Sequence, residues 1–421
     1  MIDPNTTTTG GTDIVRTNWP VLALALLACV LDGYDTIALG LSVPSLSREW
    51  GVPASHFTPA LSLTSLGSAL GFIMVGRLIA RFGCRNVMLA AVALFTLGTL
   101  LTAWASNVTE LTALRLLTGL GLGAVMPAAI TQATVLNPER IRQSIAVLVG
   151  MGMAVGALIA GVAGSQLIGH FGWSSVFIAG AVAAAVLFPF LWIGLPDERT
   201  VIGRIPVSDA KHKASLARLF DPEVRTRTVL LWIFSFLVFS VYYIFSSWLP
   251  TLLVSYGFTT SLAPLGSAAL GVGSIVGAAI LVVGLTKFRL TSILTFTTVA
   301  AAVFLTISAY LGPDKALLLL VFGGVGLGLQ GGMLGQAAVA VTMYPQGTAA
   351  TGVGWTCSMG RLGSVVGPVV GGALIGLGTS TSTIVLLACI PVLAALVIIV
   401  VLGRMRTVGV ADPVAATTIT A

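Results

Sequence analysis

Twelve apolar runs make up most of the chain. They fall at about 19–45, 57–79, 86–105, 109–136, 141–168, 172–195, 227–256, 262–285, 290–311, 314–343, 348–377 and 380–403. Most exceed the roughly 20 residues that an α-helix needs to cross a bilayer, so tilt or extension past the headgroups is expected. The pattern predicts an all-α membrane protein of twelve transmembrane helices, with the lipid bilayer as its surroundings. The first run carries two aspartates and lacks a small-residue cleavage site, which makes it a retained helix rather than a signal peptide.

Composition agrees. Charged residues are 8% of the 421, against roughly 25% in a soluble protein; hydrophobic residues are 56% and mean hydropathy is +1.03. So few charges cannot cover a water-facing surface, which excludes a soluble enzyme, a nucleic-acid binder and a disordered chain. Basic residues number 21 against 14 acidic, for a net charge of +7. On the twelve-run layout the termini and the even-to-odd loops hold seventeen of the basic residues, and the other side holds Arg48 and Lys315. That asymmetry predicts an inner-membrane protein with both termini in the cytoplasm. Cys29, Cys84, Cys357 and Cys389 show no CxxC spacing, and His56, His170 and His212 are scattered, so neither a disulfide framework nor a metal site is expected. No nucleophile–base cluster is visible either, so the expectation is a non-enzyme with no cofactor.

The polar stretch 196–226 divides six runs from six. The organisation read from it is a cytoplasmic tail at 1–18, a six-helix bundle at 19–195, a cytoplasmic loop at 196–226, a second bundle at 227–404 and a cytoplasmic tail at 405–421. Internal matches support two related halves. Leu70-Gly-Phe72 corresponds to Val276-Gly-Ala278, Gly119-Leu-Gly-Leu-Gly123 to Gly326-Leu-Gly-Leu-Gln330, and Gly152, Gly156 and Gly161 to Gly363, Gly367 and Gly372. Repeats of this kind build many secondary transporters, with the site at their interface near the midplane. The glycine spacings read as small-xxx-small packing surfaces. Gly326, Gly328 and Gly331 formally spell GxGxxG, but no strand precedes them and no acid follows at the required distance.

Outside the loops and helix ends, four formal charges remain: Asp32 and Asp35 in the first run, Arg115 in the fourth and Arg361 in the eleventh. Asp32 and Arg361 fall near the bilayer centre at 1.5 Å per residue, Arg115 lies nearer the outer end, and Asp32 and Asp35 share a helix face. Each such charge costs about 2.5–3.5 kcal/mol on insertion scales, so they must face one another or a watery cavity. Two acids and two arginines sum to zero. Arginine keeps its proton and aspartate can exchange one, so one carboxylate and one proton entering together keep the cavity neutral. That arithmetic favours proton-coupled anion uptake, and arginine is the residue that grips a carboxylate with two parallel bonds. Aromatic residues cluster in the seventh run, from Trp232 to Trp248, with Tyr34 between the aspartates and Trp355 ahead of Arg361; as a group they suit an apolar, aromatic substrate body. Arg361, Arg115, Tyr34, Trp355, Gln330 and Tyr242 form the candidate substrate-binding set.

At these residues the chain resembles the major facilitator superfamily, and within it the aromatic acid:proton symporter family of 4-hydroxybenzoate and benzoate uptake transporters. Leu31-Asp-Gly-Tyr-Asp-Thr36 is similar to that family's first-helix signature, and Arg115-Leu-Leu-Thr-Gly-Leu-Gly-Leu-Gly123 with Pro127 to its fourth-helix motif. Tyr344-Pro345, Thr351-Gly-Val-Gly-Trp355, Gly360-Arg-Leu-Gly363 and Gly367-Pro368 resemble its signature in the tenth and eleventh helices. The resemblance implies two six-helix bundles that rock about a central site, protons coupled through Asp32 and Asp35, and a need for Arg115 and Arg361 in transport. It implies a small aromatic acid and protons as the cargo of a monomer.

Gly76-Arg-Leu-Ile-Ala-Arg-Phe-Gly83-Cys-Arg85 is similar to the superfamily's loop between helices 2 and 3, which makes Gly76, Arg81, Gly83 and Arg85 gating candidates. The pattern's acid is Ala80 here, a further acid is Val135 and a base is Ala349. Arg81, Arg85, Arg140 and Arg142 are thus expected to have fewer partners, and the resting protein to lean inward-open. Export of drugs or metabolites on the same fold, and a transporter-like receptor that moves nothing, remain alternatives.

Overall fold

In the computed structural model, which describes residues 17–197, 216–222, 224–312, 314–344 and 348–405, the chain forms twelve long helices and no strand among those residues. They are α1 (Trp19–Trp50), α2 (Thr58–Phe82), α3 (Cys84–Thr102), α4 (Val108–Val135), α5 (Arg142–Phe171), α6 (Ser174–Gly194), α7 (Arg225–Ser255), α8 (Leu265–Gly284), α9 (Leu290–Tyr310), α10 (Lys315–Met343), α11 (Ala349–Gly376) and α12 (Thr381–Arg404). Each contains an apolar stretch long enough to cross a membrane. The expected terminal tails lie almost entirely outside the described residues, as do Pro345 and most of the 196–226 loop, including Arg199, Arg204, Lys211 and Lys213.

Local chemistry sets the helix ends. Asn107 accepts the Glu110 backbone N–H at 2.9 Å, and Glu110 reaches back to the Ser106 N–H at 3.0 Å, a reciprocal cap for α4. Asp314 and Ser380 cap α10 and α12 in the same sense. Two ends differ from the apolar pattern. α1 runs five residues past its apolar run, because the chain stays helical until Gly51 turns left-handed at φ 66°. There Ser47 donates to the Val52 carbonyl at 2.6 Å, and Trp50 packs edge-on against Trp173. α7 starts at Arg225, inside the expected loop, after a helical turn at Leu216–Phe220.

The repeats translate into equivalent packing. Gly156 of α5 lies against the Val30 carbonyl of α1, and Gly367 of α11 lies against the Ser240 carbonyl of α7, each too close for a Cβ. Gly119 of α4 meets the Thr64 carbonyl of α2 as Gly326 of α10 meets the Leu270 carbonyl of α8. Helices α1–α6 and α7–α12 are thereby two bundles of one design, close-packed through backbone contact as small residues allow.

The bundles touch along α5/α8, α2/α11 and α1/α7. The close approaches are Gly40 to Ser247, Gly161 to Ala268, Gly372 to Thr58 and Gly376 to Ser55. All lie in the half of the molecule opposite the end where α1 begins and α12 finishes. At that base end, a Cβ on Gly76, Gly150 or Gly354 would meet nothing within 4 Å. The close approaches between the bundles belong to the far half of the molecule.

Candidate functional site

The four interior charges divide into two pairs with different surroundings. Asp35 and Arg115 form a closed pair. Arg115 Nη2 donates to Asp35 Oδ2 at 3.1 Å and to the Asp35 carbonyl at 3.1 Å, while Nη1 lies 3.4 Å from Oδ1. Thr99 of α3 donates to Asp35 Oδ1 at 2.7 Å, and Arg115 Nε reaches Thr64 of α2 at 3.4 Å. The guanidinium also lies over the Phe177 ring of α6, 5.7 Å from its centroid. Arg115 is 0% exposed and Asp35 2%. Every one of these partners belongs to the first bundle.

Asp32, one helical turn before Asp35, is also buried at 3% exposure. Thr36 lies beside its carboxylate, and Arg361 of α11 and Tyr243 of α7 act on it electrostatically from the second bundle. Among the described residues no ion pair within 4 Å joins Asp32 to Arg361. Arg361 instead holds its guanidinium over Phe72 of α2, 5.0 Å from the ring centroid. Phe72 and Asp32 come from the opposite bundle, while Tyr243 and Cys357 beside Arg361 belong to its own. On the far side a small cavity, about 20 Å³, is lined by hydroxyls of Thr36, Thr64, Ser65, Tyr243, Ser246 and Ser364, room enough for one water.

The other candidates lie at varied distances from this junction. Tyr34 turns into the first bundle, where its hydroxyl donates to the Val176 carbonyl at 3.0 Å and its ring sits against Gly180. Tyr242 is half-buried beside Tyr243, with Ser274 of α8 next to its hydroxyl. Gln330 is buried in α10. Trp355 lies toward the base, 38% exposed, its ring stacked on Trp232 at 5.7 Å. Among the other α7 aromatics, Phe234, Phe245 and Trp248 are core residues, and Trp248 donates to the Pro368 carbonyl. Phe72, Thr64 and Thr99 were missed by the sequence reading, and Tyr243 was noted there only as one of the α7 aromatics. Phe72 was visible only as the end of a repeat; nothing in the sequence distinguishes Thr64 or Thr99 from the many other helix hydroxyls.

At the base, Gly83 adopts φ 88° in the tight turn between α2 and α3, a left-handed conformation suited to glycine. Ala80 and Arg81 are exposed there, and a Cβ on Gly76 would find open space. The expected shortage of partners does not hold for Arg85 and Arg142. Arg85 donates to the Leu195 carbonyl at 2.8 Å and the Trp192 carbonyl at 2.5 Å, taking up the unpaired end of α6. Arg142 pairs with Glu139 at 2.7 Å and also donates to the Thr134 carbonyl. Backbone carbonyls replace the missing acids, a resource that charge counting along the sequence overlooks.

Comparison with known proteins fits this architecture. The family model described as Major Facilitator Superfamily matches residues 25–356. The chain belongs to the Major Facilitator Superfamily. It is 30% identical to a gallate transporter of Pseudomonas putida, over 93% of both chains. It is 32% identical to the 4-hydroxybenzoate transporter PcaK of Pseudomonas aeruginosa, over 86% of this chain and 87% of that one. Among solved structures, a D-xylose-proton symporter superposes with a TM-score of 0.73 at 17% identity, covering 91% of this chain and 97% of the other. The protein is accordingly a superfamily membrane transporter and not an enzyme, built as the two bundles described above.

Proposed function

We propose that this transporter takes up a small aromatic carboxylate together with a proton, across an inner membrane, with both termini and the loop between the bundles in the cytoplasm. The observation that carries the reading is the contrast between the two charge pairs. Asp35–Arg115 lies wholly inside one bundle and moves as a unit. Asp32 and Arg361 face each other across the two bundles, so rocking changes their separation.

The charge balance gives the coupling. Arg361 is a planar cation beside the aromatic ring of Phe72, a setting that suits a carboxylate on an aromatic body. When a substrate carboxylate engages Arg361, Asp32 loses its counter-charge and takes a proton, and the junction stays neutral. Release toward the base returns Arg361 to Asp32 and expels the proton. The relatives named for gallate and 4-hydroxybenzoate support this substrate class. With the termini cytoplasmic, the close contacts between the bundles lie on the outer side, which supports an inward-open resting state.

Proteoliposomes carrying the purified protein provide the test. Labelled 4-hydroxybenzoate should accumulate when the outside is acidified and exchange without a gradient. Accumulation that needs the opposite gradient would make the protein an exporter. Binding with neither accumulation nor exchange would make it a receptor.

A further inference from the structure

A second cavity lies away from the Asp32–Arg361 junction. It is a groove of about 520 Å³ between α2 and α3, floored by α4, a size typical of small-molecule sites at about 300–1,000 Å³. Small residues build it. Gly71 brings α2 onto the Leu120 carbonyl of α4, and Gly121 brings α4 onto Ala91 and Phe95 of α3. Both helices press onto α4, and the Gly83 turn joins them at the base, so a slot remains between them. Its walls are apolar: Met74, Leu78 and Phe82 from α2, Ala90 and Leu94 from α3.

Charge is placed at one end of this slot. Arg77 and Arg81 are exposed, one turn apart on α2, on the stripe beside Met74 and Leu78. Arg81 holds its guanidinium over the ring of Phe82, itself a wall residue, 5.2 Å from the centroid. Asn86 is the polar residue of the lining, and it also lies at the base end. A long apolar slot flanked toward its base end by two exposed arginines of α2 matches one chemistry, a hydrocarbon chain tethered to an anionic phosphate. We propose that the α2–α3 groove binds an anionic phospholipid, one acyl chain between the helices and the phosphate on Arg77 and Arg81. Guanidinium groups pair with phosphate oxygens through two parallel bonds, and basic residues beside membrane helices favour acidic headgroups by about fivefold each. The lipid braces α2, a helix that also meets α11 across the bundle interface.

Native mass spectrometry of the full-length protein, titrated with phosphatidylglycerol and with phosphatidylcholine of the same acyl chains, tests the site. Phosphatidylglycerol should bind at the lower concentration. Arg77→Gln and Arg81→Gln should each weaken it about fivefold and leave phosphatidylcholine unchanged. Ala90→Trp, which fills the slot, should weaken both lipids. Equal binding of the two lipids to the unsubstituted protein overturns the proposal, and so does unaltered phosphatidylglycerol binding in the double arginine variant. A shift of Ala90→Trp from dimer to monomer mass would also overturn it, by making the groove an interface between copies.

Discussion

Two acid–arginine pairs occupy the middle of this membrane protein, and their neighbours set them apart. Arg115 finds Asp35, Thr64 and Phe177 within its own bundle. Arg361 finds Phe72 and the field of Asp32, both on the other bundle. Each arginine even has a phenylalanine beneath it, one from its own half and one from the opposite half. A buried pair satisfied inside a rigid body specifies that body. A pair divided between two bodies responds to their motion. On the function proposed above, folding falls to the first pair and coupling to the second, although one stretch of α1 supplies both acids.

The largest effect expected is on Asp32. Asp32→Asn removes the exchangeable proton, so proton-driven accumulation should fall to background while gradient-free exchange of labelled 4-hydroxybenzoate persists. Its thermal unfolding midpoint should stay near that of the parent, because its neighbours do not depend on it. Normal accumulation by this variant would end the assignment of coupling to Asp32. The next largest is a stability effect on the other pair. Arg115→Met leaves Asp35 buried without its cation, at a cost of about 3–5 kcal/mol. The double change Asp35→Leu with Arg115→Met should recover most of that in a denaturant titration, since a buried pair replaced by apolar groups is often neutral. A double variant as unstable as the single one would show that the pair does more than satisfy itself.

The sequence carried the fold almost completely. Twelve apolar runs became twelve helices, and the glycine matches between halves became matching helix contacts, because close backbone approach has no substitute residue. Orientation was read from arginines and lysines, and many of these lie outside the described residues. The site was legible in part. Asp32, Asp35, Arg115 and Arg361 stand out because charge is scarce in a membrane helix. Their division into two pairs does not, because it depends on which helix faces which. Asp32 and Asp35 share a face by spacing, yet one turn along the helix changes their neighbours, sending one to α4 and leaving the other toward α11. Tyr34, next to Asp35 in sequence, points into the bundle instead, where its ring fits against Gly180. Arg85 and Arg142 were misjudged for a related reason: helix ends offer carbonyls that composition does not reveal.

A third change separates geometry from charge. Arg361→Lys keeps the cation and loses the planar fork, so affinity for 4-hydroxybenzoate, measured by thermal shift or equilibrium binding, should weaken at least about tenfold, roughly 1.4 kcal/mol. The unfolding midpoint should move little. Unchanged affinity would move the carboxylate contact elsewhere, with Arg115 then the remaining interior cation.

The smallest effect expected is also the one that compares the two pairs most directly. Phe72 and Phe177 each lie under an arginine, at 5.0 and 5.7 Å from ring centroid to guanidinium. Replacing either by leucine keeps an apolar side chain and removes the ring quadrupole, a loss of about 0.5–2 kcal/mol. If the assignment is right, the same chemical change has different consequences at the two places. Phe177→Leu weakens a contact inside the first bundle, so it should lower the unfolding midpoint and leave substrate affinity within about twofold of the parent, under about 0.5 kcal/mol. Phe72→Leu weakens a contact between bundles, one that persists only while α2 and α11 are close. It should alter affinity for 4-hydroxybenzoate by about two- to thirtyfold, the range that loss spans, with the midpoint nearly constant. Paired measurements of midpoint and affinity on the two variants decide the matter. Equal shifts in both quantities for both variants would mean that the two arginines play one role, and the distinction drawn from their neighbours would fail.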